Sequence, residues 1–186
     1  MNFILIITGT STVGKTTLYE SLRTNPTFKD KSIEFHDMDE RGDVPQAGRG
    51  PWRAYRAQEL LHNAATAFAT GSSSILCGNI KPHEIIESEY FSADLNIHFL
   101  CLTLPSKVIR ERTLKRAQEN TDKNIDDSSF SPENAEQALV SILHFARITE
   151  VSTRNQAKGH VLDTSNLSPA EMHDKVIKLI QVLNTL

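Results

Sequence analysis

Gly9-Thr10-Ser11-Thr12-Val13-Gly14-Lys15-Thr16 occupies every fixed position of the pattern G-x-x-x-x-G-K-[ST]. The two glycines allow the backbone to curl until successive N–H groups point inward, which makes a nest for an anion. Lys15 is placed to reach the β- and γ-phosphates of a nucleotide as a compact cation, and the Thr16 hydroxyl to ligate Mg²⁺. Thr16-Thr17-Leu18-Tyr19-Glu20-Ser21-Leu22 reads as a helix whose positive end adds to the attraction. Gly9, Thr10, Ser11, Thr12, Val13, Gly14, Lys15, Thr16 and Thr17 are therefore the expected nucleotide-binding set.

Transfer of a phosphoryl group needs a carboxylate to orient or deprotonate the attacking hydroxyl, and cations on the moving group. Asp37 and Asp39 stand at i and i+2 of a segment that reads as extended, so both are expected on one side, facing the loop. One can hold Mg²⁺ through water while the other activates an acceptor; the spacing leaves open which does which. Our working assignment gives Asp37 the hydroxyl and Asp39, with Thr16, the metal. An acceptor pocket is expected between the second strand and the following helix. Arg49 and Arg53 could fork there onto a carboxylate or phosphate. Trp52 and Tyr55 either stack on a ring or anchor the helix in the core, and Arg41 and Arg56 lie in the same stretch. Gly78 and Asn79 close the third strand on this rim, with Lys81 and His83 just beyond.

These residues need a frame. Phe3-Ile4-Leu5-Ile6-Ile7-Thr8 is an uninterrupted apolar run typical of a buried strand. Further strands are expected at 32–36, 74–77, 95–102 and 160–163. Residues 42–51, rich in glycine and proline, read as loop. Helices are expected from Trp52 to Gly71, His83 to Tyr90, Pro105 to Gln118 and from Ser131-Pro132 through Ala146. A last one begins at the capping box Ser168-Pro169-Ala170-Glu171. Residues 119–131 are polar and acidic and read as a mobile segment beside a basic helix. The alternation predicts an α/β fold, three layers with a five-stranded parallel sheet between helices. In such a sheet a ligand lies beyond the carboxyl ends of the strands, which gathers the loop, Asp37/Asp39, Gly78-Asn79 and Thr164 on one rim.

Composition limits the alternatives. The chain has 186 residues, fits one domain, and carries a formal net charge of −3, so no bulk basic field advertises nucleic acid. Cys77 and Cys101 are expected as buried, reduced thiols. The first apolar run enters the phosphate loop directly, unlike a signal peptide, and no stretch approaches bilayer length; a cytoplasmic protein, monomer or homodimer, is expected. A guanine-selective switch would carry Asn-Lys-x-Asp, for which Thr164-Ser165-Asn166 is no substitute. A motor-type ATPase would end a strand in Asp-Glu, whereas the third strand ends Cys77-Gly78-Asn79.

The combination resembles the small P-loop kinases: shikimate, gluconate and nucleoside monophosphate kinases and the related antibiotic phosphotransferases. Asp37-Met38-Asp39 matches the Asp-x-Asp after the second strand of the shikimate-kinase-like branch, and Gly78 matches in part the glycine turn after the third. Arg112-Thr113-Leu114-Lys115-Arg116 resembles the start of their lid. By that resemblance Arg112 would stack on adenine and Arg116 would reach the phosphates. Asp163 to Pro169 resembles the final strand and turn, which implies adenine contacts at Thr164 and Ser165. The resemblance implies one P-loop kinase-like domain over residues 1–186, with an acceptor-binding region at about 37–70 and a lid at about 110–131. It implies an ATP- and Mg²⁺-dependent phosphotransferase with Lys15, Asp37 and Arg116 as catalytic residues, acting on a small-molecule phosphoryl acceptor. Asp37, Asp39, Arg49, Trp52, Arg53, Gly78 and Asn79 would bind that acceptor. The absent triple glycine argues against shikimate, and Gly78-Asn79-Ile80-Lys81-Pro82 stands where nucleoside monophosphate kinases carry Asp-Gly-Phe-Pro-Arg. The alternative is a regulatory nucleotide-binding switch without an acceptor.

Overall fold

A computed structural model describes residues 2–29, 31–40, 49–122 and 134–185, with backbone alone for 49–51 and 121. Five strands, β1 (Ile4–Thr8), β2 (Ile33–Asp37), β3 (Ser73–Cys77), β4 (Ile97–Thr103) and β5 (Gly159–Asp163), form one sheet in the order β2-β3-β1-β4-β5. Every neighbouring pair is parallel. Among the described residues six α-helices accompany them: α1 (Lys15–Arg23), α2 (Arg49–Ala69), α3 (Pro82–Ile86), α4 (Ser106–Asp122), α5 (Ala135–Arg154) and α6 (Pro169–Leu183). The three-layer α/β arrangement expected from the alternation is the one found.

β1 lies at the centre because its sequence suits burial on both faces. Phe3, Leu5 and Ile7 pack with Leu18 and Leu22 of α1 and Met172, Val176 and Ile180 of α6. Ile4 and Ile6 pack on the opposite side with Leu60, Leu61 and Ala64 of α2. The period-2 alternation of the strand thus splits one apolar run between two cores. The Ser168 hydroxyl accepts from Glu171 N–H at 3.2 Å while the Glu171 carboxylate accepts from Ser168 N–H at 2.8 Å, closing the expected capping box of α6.

Several boundaries move. Helix α2 begins at Arg49, inside the stretch expected as loop, because Pro51 falls in its first turn, where no backbone donor is needed. This sets Arg49 and Arg53 one helical turn apart. The rest of that expected loop, 41–48, lies outside the described residues. α3 ends at Ile86 rather than Tyr90, since Glu87 N–H caps onto His83 and Ile85 carbonyls and Tyr90 N–H turns back to Ser88 Oγ. α4 runs on to Asp122, past the start of the segment expected to be mobile; most of that segment, and the Ser131-Pro132 start of the next helix, lies outside the described residues. β4 begins at Ile97, two residues late. Both cysteines are buried and free. Among the described residues no helix is long and apolar enough to cross a membrane.

Candidate active site

The loop after β1 has the curled backbone its glycines suggest. Thr12 and Gly14 sit at φ 71° and 98°, and Gly9 at φ 137°. A Cβ on Gly9 would stand 2.5 Å from the Leu102 carbonyl oxygen, so β4 leaves room there for glycine alone. Helix α1 begins at Lys15, and no side chain caps its first turn, so the loop's free amides and the helix end present one positive concavity. Thr16 and Thr17 are exposed on that turn. The Lys15 ammonium donates to the Thr10 carbonyl at 2.8 Å. Burial lowers its pKa to about 8, against the opposing pull of Asp39 and Asp37.

Asp37 and Asp39 do not form the extended i, i+2 pair that their spacing suggested. β2 ends at Asp37 and the chain turns: Asp39 N–H donates to Asp37 Oδ1 at 2.9 Å, and Glu40 N–H to the Asp37 carbonyl at 3.3 Å. The turn is anchored to α1, where the Tyr19 hydroxyl donates to Glu40 Oε1 at 2.9 Å. Arg56, buried and paired with Glu59 at 2.7 Å, makes long contacts of 3.5 Å to the Asp37 and Met38 carbonyls from α2. Gly78 is required beneath it, because a Cβ there would lie 2.6 Å from Met38 Cβ. Desolvation raises the Asp37 pKa, with the Asp39 and Glu40 charges adding and the Asp39 N–H and Lys15 opposing. A carboxylate so shifted is a better proton acceptor than an exposed one.

Arg53 enters from α2, half-buried. Its Nη2 donates to the Asn79 carbonyl, and its guanidinium lies 4.9 Å from the centroid of Phe145 on α5. Lys81 Nζ lies 5.9 Å from the same centroid and 3.5 Å from Glu84. Asp39 influences both Lys15 and Arg53, and Arg53 in turn depresses Lys15, so these charges form one electrostatic group. Arg53 is not solvated, as an exposed helix face would have it; Tyr55 is the residue left exposed, at 67 %. Trp52 packs beside the α2 core and so serves as an anchor. The side chain of Arg49 lies outside the described set.

On the other side of the loop, Arg112 of α4 donates to the Thr12 carbonyl at 3.1 Å, and Arg116 is exposed one turn further on. Thr164 is buried; its hydroxyl and N–H both donate to the Thr103 carbonyl, at 3.1 and 3.0 Å. Ser165 N–H donates to Asp163 Oδ1 at 2.8 Å. Among the described residues no three His, Cys, Asp or Glu side chains gather as metal ligands. The oxygens available, the Thr16 hydroxyl and the Asp39 carboxylate, are hard donors that suit Mg²⁺ completed by phosphate and water.

No family model matches the sequence, and no curated protein matches it significantly. Solved structures match over nearly the whole chain. A gluconokinase from Sinorhizobium meliloti 1021 aligns with TM-score 0.59 at 16 % identity, over 98 % of this chain and 94 % of that one. The tRNA isopentenylpyrophosphate transferases of Staphylococcus epidermidis and Bacillus halodurans align with TM-scores of 0.57 and 0.54, both at 12 % identity. They cover 97 % and 100 % of this chain, and 99 % of each of the two. The chain shares the fold of these structures.

On this P-loop scaffold the structure brings together Lys15, Asp37, Asp39, Arg53 and Asn79, and sets Arg112 against the loop. The part that sequence reasoning missed is α5. The Thr10 hydroxyl donates to the Ile142 carbonyl at 3.1 Å, and Phe145 forms the aromatic face under Arg53 and Lys81. A signal was present: Phe145 stands one turn past Ile142 on the apolar stripe of that helix. The bracing of the Asp37 turn by Arg56 had no local signal.

Proposed function

We propose that the protein is an ATP- and Mg²⁺-dependent phosphotransferase that phosphorylates a small metabolite, nucleoside or nucleotide. The observation that carries this reading is the single charge group formed by Lys15, Asp37, Asp39 and Arg53 at the carboxyl ends of β1, β2 and β3. A site that only held a nucleotide would need the loop, the lysine and one carboxylate on the metal side; a second carboxylate, desolvated and braced beside them, suits an acceptor's hydroxyl.

A bound nucleoside triphosphate with Mg²⁺ would supply the phosphoryl group. Gly9 to Thr17 hold its phosphates, with Thr16 and Asp39 on the metal side, and Lys15 leaves the Thr10 carbonyl to meet negative charge. Asp37 takes the acceptor's hydroxyl proton as that oxygen gains phosphorus and ADP departs. Its Oδ1 is steadied by Asp39 N–H, and Oδ2 makes no hydrogen bond among the described residues. On this reading Arg112 and Arg116 approach the phosphates from the lid side, Thr164 and Ser165 face the base, and Arg53, Asn79 and Gly78 wall the acceptor region, with Trp52 anchoring the helix that carries Arg53. A lid beginning on α4 would exclude water, which otherwise competes for the phosphoryl group. We assign the whole chain to one catalytic domain acting in the cytoplasm.

The test is ADP release measured across a panel of hydroxylated metabolites, nucleosides and nucleotides. Stimulation by a particular acceptor supports the kinase; a flat, low rate across the panel favours the regulatory switch.

A further inference from the structure

Helix α5 turns a second stripe outward. His144, Arg147, Ile148, Val151 and Asn155 recur at helical spacing on one face, about 16 Å long at a rise of about 1.5 Å per residue. Ile148 is 36 % exposed and Val151 53 %, although apolar positions of a helix ordinarily turn to the core. His83 of α3 stands against this stripe, and between them lies a groove of about 510 Å³, with Ser152 in its wall. That volume falls within the range of about 300–1,000 Å³ in which small-molecule sites are found. The groove is separate from the proposed phosphotransfer site, since none of Lys15, Asp37, Asp39, Arg53, Lys81 and Phe145 lines it.

The chemistry of this groove is one-sided. Its polar side chains are His83, His144, Arg147, Ser152 and Asn155, and none of them is hydrogen-bonded or ion-paired to another described residue. No carboxylate lines it. Glu84, beside His83, is engaged by Lys81 at 3.5 Å, and Glu150, one turn past Arg147, by Arg154 at 2.7 Å. Glu87, one turn past His83, stays outside the lining. Arg147 is a permanent cation, and the imidazoles add ring N–H donors. The other end of the stripe reaches Asn155, at the C-terminus of α5, where the helix dipole is negative; an anion is favoured at the Arg147 end alone. Ile148 and Val151 lie between the two ends. We infer that this groove is a ligand site for a soluble amphiphilic carboxylate, whose head lies on Arg147 with His144 and His83 and whose apolar body covers Ile148 and Val151. The guanidinium gives the head a charge-assisted pair, covering the two aliphatic side chains releases water, and no contact within the protein has to break first. Touching both α3 and α5, the ligand ties together the elements that follow Lys81 and carry Phe145. The assignment stands apart from the phosphotransferase reading and is tested by binding alone.

The Cδ1 methyl resonance of Ile148, assigned by its loss in Ile148→Val, reports the floor of the groove in the full chain. It is titrated with octanoate and naphthalene-2-carboxylate, with their neutral counterparts octan-1-ol and naphthalene-2-methanol, and with acetate, which has the head without the body. At least one of the two amphiphilic acids shifts it saturably, at least about tenfold more tightly than its alcohol and than acetate. Arg147→Gln, at an exposed position, removes that preference with unchanged circular dichroism and leaves the affinity for the alcohol as it was. No shift with either acid, equal affinity for an acid and its alcohol, or a preference that survives in Arg147→Gln overturns the inference. A shift that grows with protein concentration in the absence of any probe gives this face to a second copy of the chain and overturns it as well.

Discussion

The two halves of the proposed site are built on different principles. The phosphate side is local: eight consecutive residues, Gly9 to Thr16, supply the nest, the cation and the hydroxyl, and the lysine in it already has a partner at Thr10. The proposed acceptor side is assembled from α2, the β3–α3 turn and α5, and its arginine, bonded through Nη2 to the Asn79 carbonyl, keeps a buried Nε without a hydrogen bond. Both halves keep a buried polar atom without a partner, Thr12 Oγ1 in the loop and Arg53 Nε opposite; the difference is that the first half is contiguous in the chain and the second is gathered from three elements. Recognition of a common donor needs only backbone and one charge, whereas discrimination among acceptors needs side chains brought from afar.

The largest break in this contrast should come on the donor side. Lys15→Ala should lower kcat by about a hundredfold or more with unchanged circular dichroism, since it removes the main cation from the transferred charge. Wild-type ATP consumption by the variant would show that the loop does not bind phosphates. Asp37→Asn should come next, lowering the chemical step by about 10²-fold with ATP affinity within a few-fold of wild type. Equal losses in both would give Asp37 a metal-linked or structural role.

Gly78→Ala probes the seam between the halves. The new Cβ meets Met38 Cβ at 2.6 Å, so the Asp37 turn must shift; about 1–3 kcal/mol of stability should be lost, read from denaturant midpoints. A midpoint equal to wild type would show that the turn moves freely. A smaller effect is the pH dependence of donor binding. Burial holds Lys15 at about pKa 8 in the free protein, and bound phosphate favours its protonated form. Binding therefore takes up protons, and triphosphate affinity should fall as the pH rises through about 8; a flat profile from pH 7 to 9.5 would place the lysine away from the phosphates.

A control far from both halves has the opposite sense. His98 is buried, bonds Asn96 Oδ1 at 3.0 Å through Nε2, and stacks 5.9 Å from His160. Burial, with Lys158 and His160 adding, lowers its pKa to about 4. The unfolded chain takes the proton first, near pH 6.5, so stability should be full above that value and decline as pH falls towards 4. His98→Leu should flatten this decline without altering nucleotide affinity, as measured by urea unfolding at stepped pH.

The same contrast explains what could be read from the sequence. The fold and the curled backbone of the loop after β1 were legible because their signals are contiguous: the apolar run of β1, the Gly-Lys-Thr spacing, the capping box at Ser168. Asp37 and Asp39 were found by position, but their geometry was not, because a strand that ends at Asp37 gives way to a side-chain-stabilised turn and the alternation rule stops applying. Arg53 could be named and its partner could not. The aromatic face it meets arrives from Phe145, and only the crossover of α5 behind the loop brings the two together.

The most direct test of the central claim is calorimetric titration of Mg·ATP into the wild-type protein and Lys15→Ala. We predict saturable binding to the first, weakened at least about tenfold in the second. No binding to the wild type, or equal binding to both, would contradict the account.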